Sequence, residues 1–587
     1  TVQRDTMKTI LKFDMNSKQS FLFLLILLLL TSQIGFSAEG KWIRVGMLHN
    51  FYQSHGSEPE EEFGDSQQFG MQWPAFWDLQ DMQAARGLWF GVANYYDPVA
   101  DYTYPYKVAH VGPRPRPEAE LNEMMPVEFK LIARSAHPTV IVDSEISSDM
   151  EWDDIIDEID PLLPSDRMIY NVINSSVGLS MERKIYAFSQ QNYNNFFIYD
   201  MTFTNNGICN KDSSITHNNT LDGVYFYWQY RNAICTEGTV EGSAIDWVGQ
   251  PGWGTERDMR WGINTMNEVL GENPLSPAPN DVYDDNGDII RCFYSWHGRH
   301  SASSYDNIGS PNYLGWQPDG RLGASQYIGV VTIHADKSPT DNTNDQFQPS
   351  STQYIESNAA ATFSNEQYNQ TRMQDEYLQY LAAGHPLLSQ AEMVGDGFAD
   401  QFASDGGYSA GIGFGPYTLN PGESVRIVLA EGVNGLSRYK NSRVGADWFA
   451  AQNGQSSTDT LPDGGLTTDH NEYKNAWVYT GRDSILKTFK RAINVFGRNY
   501  QIPQAPDPPS TFEVQSQGNR IYLTWDNSAE NSDYFEGYKI FRAKGQKDST
   551  YHEIFDCNVE DGNVVNEYSD FSAERGQSYY YYIVSYD

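Results

Sequence analysis

The segment 194–207 constrains the fold more than any other part of the chain. It joins aromatic and β-branched residues in one run, Phe196 to Thr204, and it ends on Asn205-Asn206-Gly207. This pattern predicts a buried strand followed by a turn. A second run of the same kind spans Leu221 to Tyr230. Because two such strands need a partner sheet to cover their apolar faces, the sequence predicts an all-β fold with a large, multi-stranded β-sandwich region.

The charge of the chain limits its partners. Acidic residues number 77 and basic residues 40, for a formal net charge of -37. Such a charge repels phosphates and anionic membranes, so we expect no nucleic-acid partner. The acidic residues are spread along the whole chain, which is typical of a solvated surface.

Residues 15–38 have the pattern of a signal peptide. A basic n-region precedes the apolar run Phe21–Leu30, and small residues suited to signal peptidase follow at Gly35–Ala38. The apolar run is too short for a permanent membrane span. We therefore expect the mature protein to be secreted or held at the cell surface.

The cysteines do not indicate a dense disulfide framework. The chain has four of them, Cys209, Cys235, Cys292 and Cys557. Cys209 and Cys235 flank the second central strand and are candidates to pair across it, which is one of three possible connectivities. The spacing Cys-x-x-Cys, which favours zinc or thioredoxin-type chemistry, is absent from the sequence.

The large β-sandwich region is expected over residues 39–500, as one unit or as two subdomains. Helices are few in the sequence pattern. One is predicted from apolar residues at helical spacing that end at Gly384, namely Met373, Tyr377, Leu378 and Leu381. Asp483 is predicted to cap a second helix with the apolar face Ile485, Leu486, Phe489, Ile493 and Phe496.

Residues 501–509 are rich in proline and predict a stiff, extended linker. Beyond it, residues 510–587 resemble a fibronectin type III domain. The resemblance is carried by Trp525, Gly537–Arg542, Tyr568-Ser569-Asp570 and Gly576–Ile583. It implies an immunoglobulin-like module in which Tyr579 is the tyrosine of the corner, and the last strand of the family pattern is missing.

The large region resembles a recurrent, uncharacterised group of exported bacterial proteins in which such a region precedes a fibronectin type III module. The resemblance is carried by short segments spread over nearly the whole mature chain, namely Trp42–Gly46, Ala187–Gln191, His334–Ser338, Ala430–Arg438 and Val478–Ser484. It implies export but no established activity.

Gly407-Tyr408-Ser409-Ala410-Gly411 fits the Gly-x-Ser-x-Gly pattern that presents a nucleophilic serine in α/β-hydrolases. That motif works on a sharp turn from a buried strand into a helix. The preceding residues, 399–406, are polar and turn-like, and the following residues, 412–416, are broken by glycine and proline. Ser409 is therefore the candidate nucleophile of the chain, in a context that favours a chance match.

Two acidic clusters have the oxygen ligands that calcium prefers. In the first, Asp284, Asn286 and Asp288 surround an Asn-Gly pair typical of a tight hairpin. In the second, Asp336 follows His334 and precedes Asp341 and Asp345. A calcium ion is the cofactor that these residues suggest, and a hairpin turn and a polar loop after a strand are the alternatives.

Histidines and aromatic residues offer two further possibilities. His297 and His300 lie beside Trp296, but on a strand or loop this spacing places no pair on one face, which disfavours a metal site. The chain also has 14 tryptophans and 38 tyrosines. Core packing in a large β protein accounts for most of them, and a sugar-stacking platform is the alternative for the rest.

These patterns favour an exported, non-catalytic structural or binding protein whose partners are glycans or other envelope components. The alternative is a secreted hydrolase that acts on polysaccharide or ester substrates. A pocket with paired carboxylates, or a histidine within hydrogen-bond reach of Ser409, would favour the hydrolase.

Overall fold

A computed structural model of the chain describes residues 39–587, except for 59–69, 76, 78–79, 114–122, 149–154, 235–263, 302, 314, 316–318, 357–358, 360–368, 403–406, 504 and 546–550. The predicted signal peptide, residues 15–38, lies outside the described residues. Strands predominate over helices in the described part, and the all-β class is confirmed.

The strands of the first 300 residues are β1 (Gly40–Val45), β2 (Leu48–Gln53), β3 (Gln83–Asp97), β4 (Tyr102–His110), β5 (Met124–Ala133), β6 (Thr139–Val142), β7 (Glu145–Ile146), β8 (Glu158–Ile159), β9 (Arg167–Ser175), β10 (Leu179–Ala187), β11 (Phe196–Asn205), β12 (Leu221–Asn232), β13 (Thr265–Leu270) and β14 (Arg291–His297). The later strands are β15 (Gln326–Ser338), β16 (Asp341–Asn344), β17 (Ser351–Glu356), β18 (Tyr408–Leu419), β19 (Ser424–Gly435), β20 (Asp459–Thr460), β21 (Leu466–Thr467), β22 (Thr511–Ser516), β23 (Ile521–Trp525), β24 (Gly537–Lys544), β25 (His552–Asn558), β26 (Glu567–Asp570) and β27 (Tyr579–Tyr586).

Among the described residues, the α-helices are α1 (Gln370–Glu376), α2 (Gln390–Val394), α3 (Arg438–Gln452) and α4 (His470–Gly497). A π-helical turn, Tyr377–Leu381, continues α1. Short 3₁₀ turns occur at Ala399–Gln401 and Ser528–Asn531.

Two large sheets face each other and enclose the main core. The first has the order β13-β14-β15-β19-β11-β10-β9-β5-β8, with β16 beside β15, and the second has the order β17-β18-β12-β3-β4. Phe203 of β11 stacks on Phe226 of β12 with ring centroids 3.9 Å apart. The two predicted central strands therefore lie in opposite sheets, and each covers the apolar face of the other.

Alternation along β11 explains why a helix covers the outer face of the first sheet. Phe197 and Tyr199 point into the space between the sheets, whereas Ile198 belongs to a second core on the opposite face. Successive residues of a strand face opposite sides, so a run of consecutive apolar residues such as 196–199 needs cover on both. Helix α4 supplies it, with Ile485 and Phe489 in the second core.

The structure of helix α4 agrees with one part of the sequence prediction and differs from another. Its predicted apolar face is buried or packed against the second core. The predicted cap at Asp483 is wrong, because the helix begins at His470 and Asp469 caps it by accepting from the backbone N–H groups of Asn471 and Glu472. The upstream turns pack Tyr473 and Val478 into a small separate core, which extends the helix beyond its obvious apolar stripe.

The α1 helix and its π-helical turn lie on the outer face of the second sheet. Leu381 and Tyr377 are buried there, whereas Leu378 is 44% exposed. The π-helical turn can lie this close to strand β3 because position 91 is a glycine. A Cβ at Gly91 would lie 2.3 Å from a methyl group of Leu381. The Tyr377 hydroxyl donates to the Gly223 carbonyl at 2.6 Å and fixes the turn on the sheet.

The C-terminal residues form two smaller sheets with the orders β26-β23-β22-β6-β7 and β25-β24-β27. Trp525, Tyr538 and Ile540 share a core between them. The hydroxyl of Tyr579, the predicted corner tyrosine, accepts from the backbone N–H of Glu574 at 2.8 Å. The fibronectin type III assignment of residues 510–587 stays a prediction.

Strand β6 joins these C-terminal sheets to the preceding region. Its residues 139–142 pair in parallel with 511–514 of β22. The predicted linker 501–509 is also held, because Ser585 of β27 donates its hydroxyl to the Asp507 carbonyl at 2.8 Å. The C-terminal sheets are thus attached by backbone pairing as well as by the linker.

Cys209 is a buried free thiol, 3.6 Å from the Tyr95 hydroxyl. Its suggested partner, Cys235, lies outside the described residues. Within the described ranges, none of the helices combines the length and the apolar character needed to cross a bilayer.

Candidate functional site

Ser409 does not have the setting of a hydrolase nucleophile. It is the second residue of β18 and pairs with Ile355 of β17, so it lies within a strand and not on a turn into a helix. Its side chain is fully buried, and its hydroxyl has no hydrogen-bond partner. A nucleophilic serine needs an exposed hydroxyl beside a general base, and this geometry offers neither.

The first calcium candidate is an exposed turn built on Asp284. One carboxylate oxygen of Asp284 accepts from the backbone N–H groups of Asn286 and Asp288, each at 2.9 Å. Tyr283 and Ile289 form a β-bridge on either side. These contacts explain the turn residues without an ion.

The second candidate is spread over the β15–β16 hairpin, and each carboxylate has local partners. Asp336 bonds the His334 imidazole at 2.8 Å and accepts from the backbone N–H of Arg426. Asp341 accepts from Thr343, and Asp345 accepts from the backbone N–H of Phe347.

Among the side chains that the structure describes, no group of three or more His, Cys, Asp and Glu residues is placed to hold an ion. The calcium hypothesis for Asp284, Asn286, Asp288, Asp336, Asp341 and Asp345 stays a prediction.

His297 is buried, its Nε2 lies 3.3 Å from the Asn264 amide, and burial lowers its pKa to about 3, so it is neutral at physiological pH.

A charged network that the sequence analysis did not identify lies between the two large sheets. Arg86 of β3 forms an ion pair with Glu431 of β19 and another with Glu58, and Arg183 of β10 reaches Glu58 at 3.2 Å. The side chains of Arg86, Arg183 and Glu431 are each only 2% exposed, and that of Glu58 is 11% exposed. Two positive and two negative charges therefore neutralise each other inside the sandwich.

Tyrosine side chains complete this network. The Tyr199 hydroxyl donates to Glu431 at 2.9 Å and lies 3.0 Å from the Tyr52 hydroxyl. Burial opposes the charge of Arg86, but the Glu431 and Glu58 carboxylates raise its pKa well above the ordinary value. Each carboxylate is held by a guanidinium group, so the network braces the two sheets and offers no carboxyl group free for acid–base work.

One sequence signal could have located this network. Arg86 and Glu431 are single charged residues inside otherwise apolar or small-residue strand runs, Ala84–Val92 and Ile427–Val433. A charged residue at an inward position of a strand needs a buried partner of opposite charge. The sequence gives no means of choosing that partner.

Exposed and half-buried aromatic and basic residues lie at and beside the start of helix α3. We call this set the α3 strip: Trp77, Arg438, Tyr439, Lys440, Arg443 and Trp477. The Arg438 guanidinium lies 4.9 Å from the Trp77 ring centroid, and the Lys440 ammonium lies 3.3 Å from the Trp477 ring centroid. These are cation–π contacts between neighbouring elements.

The strip is both fixed and accessible. The Trp477 indole donates to the Thr460 carbonyl at 3.0 Å, which sets the plane of its ring. Tyr439 is 75% exposed, and the Arg443 side chain is 63% exposed. A hydrogen bond with the Tyr439 side chain raises the pKa of Arg443. Rings and hydrogen-bond donors are thus presented together to solvent.

The chain matches no family model and no curated protein.

Proposed function

We propose that this chain is an exported, non-catalytic protein that binds glycans through the α3 strip. The carrying observation is the combination of a 75% exposed Tyr439 with the fixed, partly exposed indole of Trp477 on adjacent helices. Aromatic rings at a protein surface offer the flat apolar faces on which sugar rings stack, and nearby polar groups orient the sugar hydroxyls.

The interior of the sandwich supports a non-catalytic role. Glu58 and Glu431 are engaged by Arg86, and Ser409 is buried without a base beside it. A glycosidase needs two carboxyl groups that reach the same bond of the substrate, and an esterase needs an accessible nucleophile. Glu58, Glu431 and Ser409 are thus used for bracing or for packing.

A glycan array probed with residues 39–587 tests the proposal. We expect Tyr439→Ala and Trp477→Ala each to weaken binding of the recognised glycans by about tenfold, which corresponds to about 1.4 kcal/mol. Tyr534→Ala is the matched control, because Tyr534 is 54% exposed but lies in the C-terminal module.

Equal binding by all three variants would place the glycan site elsewhere and contradict the proposal. Hydrolysis products in a parallel screen of polysaccharide and ester substrates would favour the hydrolase instead.

A further inference from the structure

A lysine and two carboxyl groups are buried together in the interior of the protein. The Lys107 ammonium on β4 lies 3.3 Å from a carboxylate oxygen of Asp97, the last residue of β3. Their side chains are 0% and 3% exposed. Glu123, which directly precedes β5, is also buried and interacts electrostatically with both Lys107 and Asp97. One amine therefore shares the interior with two carboxyl groups.

An ion pair between Lys107 and Asp97 does not account for Glu123, because one carboxylate is enough to balance one ammonium group. Burial raises the pKa of Glu123 to about 7, and its carboxyl group accepts from the Ser176 hydroxyl at 2.9 Å. Burial also lowers the pKa of Lys107, although the two carboxyl groups oppose this shift. Glu123 is thus an additional acid, near an amine whose neutral form burial favours.

Two further titratable groups near this cluster are engaged or neutral. Glu376 is paired with the Arg372 guanidinium at 2.8 Å. Burial raises the pKa of the Cys209 thiol, which is therefore protonated at physiological pH. The Lys107 ammonium also lies 5.1 Å from the Tyr104 ring centroid, a longer contact than the one with the carboxylate.

The two oxygens of the Asp97 carboxyl group have different partners. Oδ2 faces the Lys107 amine, whereas Oδ1 accepts from the backbone N–H groups of Val99 and Ala100 at 2.8 and 3.1 Å. When an amine adds to a carboxyl carbon, negative charge develops on one oxygen, and fixed N–H donors stabilise that charge. Oδ1 is thus placed to become the oxyanion, and Oδ2 to be the leaving oxygen.

From this arrangement we infer that Lys107 and Asp97 become joined by an amide bond between Nζ and Cγ in the folded protein. The Lys107 nitrogen attacks Cγ, the C–N bond forms and the Cγ–Oδ2 bond breaks. Two protons of the ammonium group leave with Oδ2 as one water molecule, and Glu123 carries a proton from the nitrogen to the oxygen. Amine and carboxyl group are already in contact, and the neutral product removes two buried charges, so folding favours the reaction.

Trypsin digestion of residues 39–587 followed by mass spectrometry tests the inference. No lysine or arginine lies between Arg86 and Lys107, and both Arg114 and Arg116 precede proline, so the next cleavage site after Lys107 is Lys130. An unlinked protein gives peptide 87–107. Because trypsin does not cleave after an amidated lysine, we expect mainly peptide 87–130, lighter than its sequence by one water. Fragmentation locates the link at positions 97 and 107.

Mild acid gives an independent readout. It cleaves Asp–Pro bonds with the help of the aspartate carboxyl group, and the chain has three such bonds, after Asp97, Asp160 and Asp507. We expect cleavage after Asp160 and Asp507 and loss of cleavage after Asp97, whose carboxyl group is an amide in the linked protein. Pro98 has no N–H, so Asp97 cannot lose water by forming a cyclic imide with the next residue.

Two variants test the roles of the side chains, and circular dichroism checks that they fold. Lys107→Arg keeps the positive charge but has no amine to link, so cleavage after residue 107 and after Asp97 should return. Glu123→Gln keeps an acceptor for Ser176 but has no proton to transfer, and we expect the rate of linking to fall by about a hundredfold or more.

A second buried pair in the same chain is the internal control. The Lys474 ammonium lies 3.0 Å from Asp306, but the Arg299 guanidinium also lies 3.0 Å from that carboxylate. The second cation stabilises the charged carboxylate, which resists attack by an amine. We expect trypsin to cleave after Lys474 as after an ordinary lysine.

Three results would contradict the inference. Peptide 87–107 from the parent, with cleavage after Asp97 as ready as after Asp160, would overturn the link itself. Linking of Glu123→Gln at the parent rate would overturn the role of Glu123. A link at Lys474 as well would show that buried contact alone is sufficient, and would overturn the argument from the three groups.

Discussion

Thr139 donates its backbone N–H to the carbonyl oxygen of Ser510 at 2.8 Å, although 371 positions separate them in the chain. The contact opens the parallel pairing of β6 with β22. At the other end of the pairing, Asp143 donates its backbone N–H to Val514 at 2.9 Å and accepts from the backbone N–H of Ser516 at 2.6 Å. The hairpin 139–146 thus extends the first C-terminal sheet by two strands and ties it to the large region.

Thr139→Pro should loosen this attachment. Proline removes the N–H that bonds Ser510, and it is tolerated at the first residue of a strand, so folding of the rest should survive. Loss of one such hydrogen bond costs about 1 kcal/mol. The population in which the C-terminal sheets are detached from β6 then rises by about fivefold, and the rate of proteolysis in the linker 501–509 rises with it. Thr139→Ala keeps the N–H and is the control. Equal cleavage rates for the two variants would mean that the linker alone holds the C-terminal sheets.

Glu431→Gln should be strongly destabilising. It leaves the Arg86 guanidinium inside the sandwich with one carboxylate fewer, and removal of one member of a buried ion pair costs about 3–5 kcal/mol. Glu574→Gln breaks an exposed pair with Lys544 and should cost far less, because solvent screens exposed ion pairs. Urea unfolding measures both. A cost for Glu431→Gln as small as that of the control would argue against the bracing role.

The double variant Arg86→Met with Glu431→Met separates pairing from packing. If the two charges serve mainly each other, the double variant should lose clearly less stability than the sum of the single variants. The same urea experiment gives the coupling free energy. Additive losses would show that Arg86 depends chiefly on Glu58, its other carboxylate partner.

Asp81 should make stability depend on pH. It is 4% exposed, it accepts from the Gln72 amide at 3.0 Å, and burial raises its pKa to about 7. The unfolded chain releases this proton near the ordinary aspartate pKa of about 3.9. Between those values the native state binds more protons than the unfolded state, so its stability falls as pH rises, by at most about 1.4 kcal/mol per pH unit.

Asp81→Asn should remove this slope, because the amide does not titrate. The measurement is the urea midpoint at about pH 5 and about pH 7 for the parent, for Asp81→Asn and for the exposed control Asp533→Asn. A parent and an Asp81→Asn protein with the same pH dependence would show that Asp81 is not desolvated in solution.

Ser409→Ala should be neutral or slightly stabilising. The buried hydroxyl has no partner, and an unsatisfied buried polar group costs about 1–3 kcal/mol, part of which the substitution removes. We also expect no change in any hydrolytic activity. Loss of hydrolysis in the variant would reinstate Ser409 as a nucleophile.

The local pattern of the sequence indicated which face of a strand or helix is buried. It located both central strands and the apolar face of α4, because alternation and helical spacing record which side of an element is buried. It placed the start of α4 too late, at Asp483, because the turns from His470 onward bury single residues such as Tyr473 in a small core that has no strong periodicity.

The candidate site was less accessible to sequence reasoning. A sugar-stacking platform was the alternative to core packing for the aromatic residues. The two candidates, Tyr439 and Trp477, lie on different helices, and α3 packs beside α4 only in the folded chain. The Gly-x-Ser-x-Gly motif around Ser409 can be recognised from consecutive residues of the sequence, but in the structure Ser409 lies in a buried strand. A short motif fixes the order of residues, whereas exposure depends on what the rest of the chain places over them.

By itself, the sequence determined the all-β class and the runs of residues that must be buried, because these follow from the spacing of apolar side chains along each element. Only the tertiary structure decided that Arg86 meets Glu431 across 345 positions and that Thr139 pairs with Ser510. The reason is that burial is a property of one residue and its near neighbours. Choice of partner depends on the geometry of two distant segments, and many acidic or strand-forming residues satisfy the local requirement equally well.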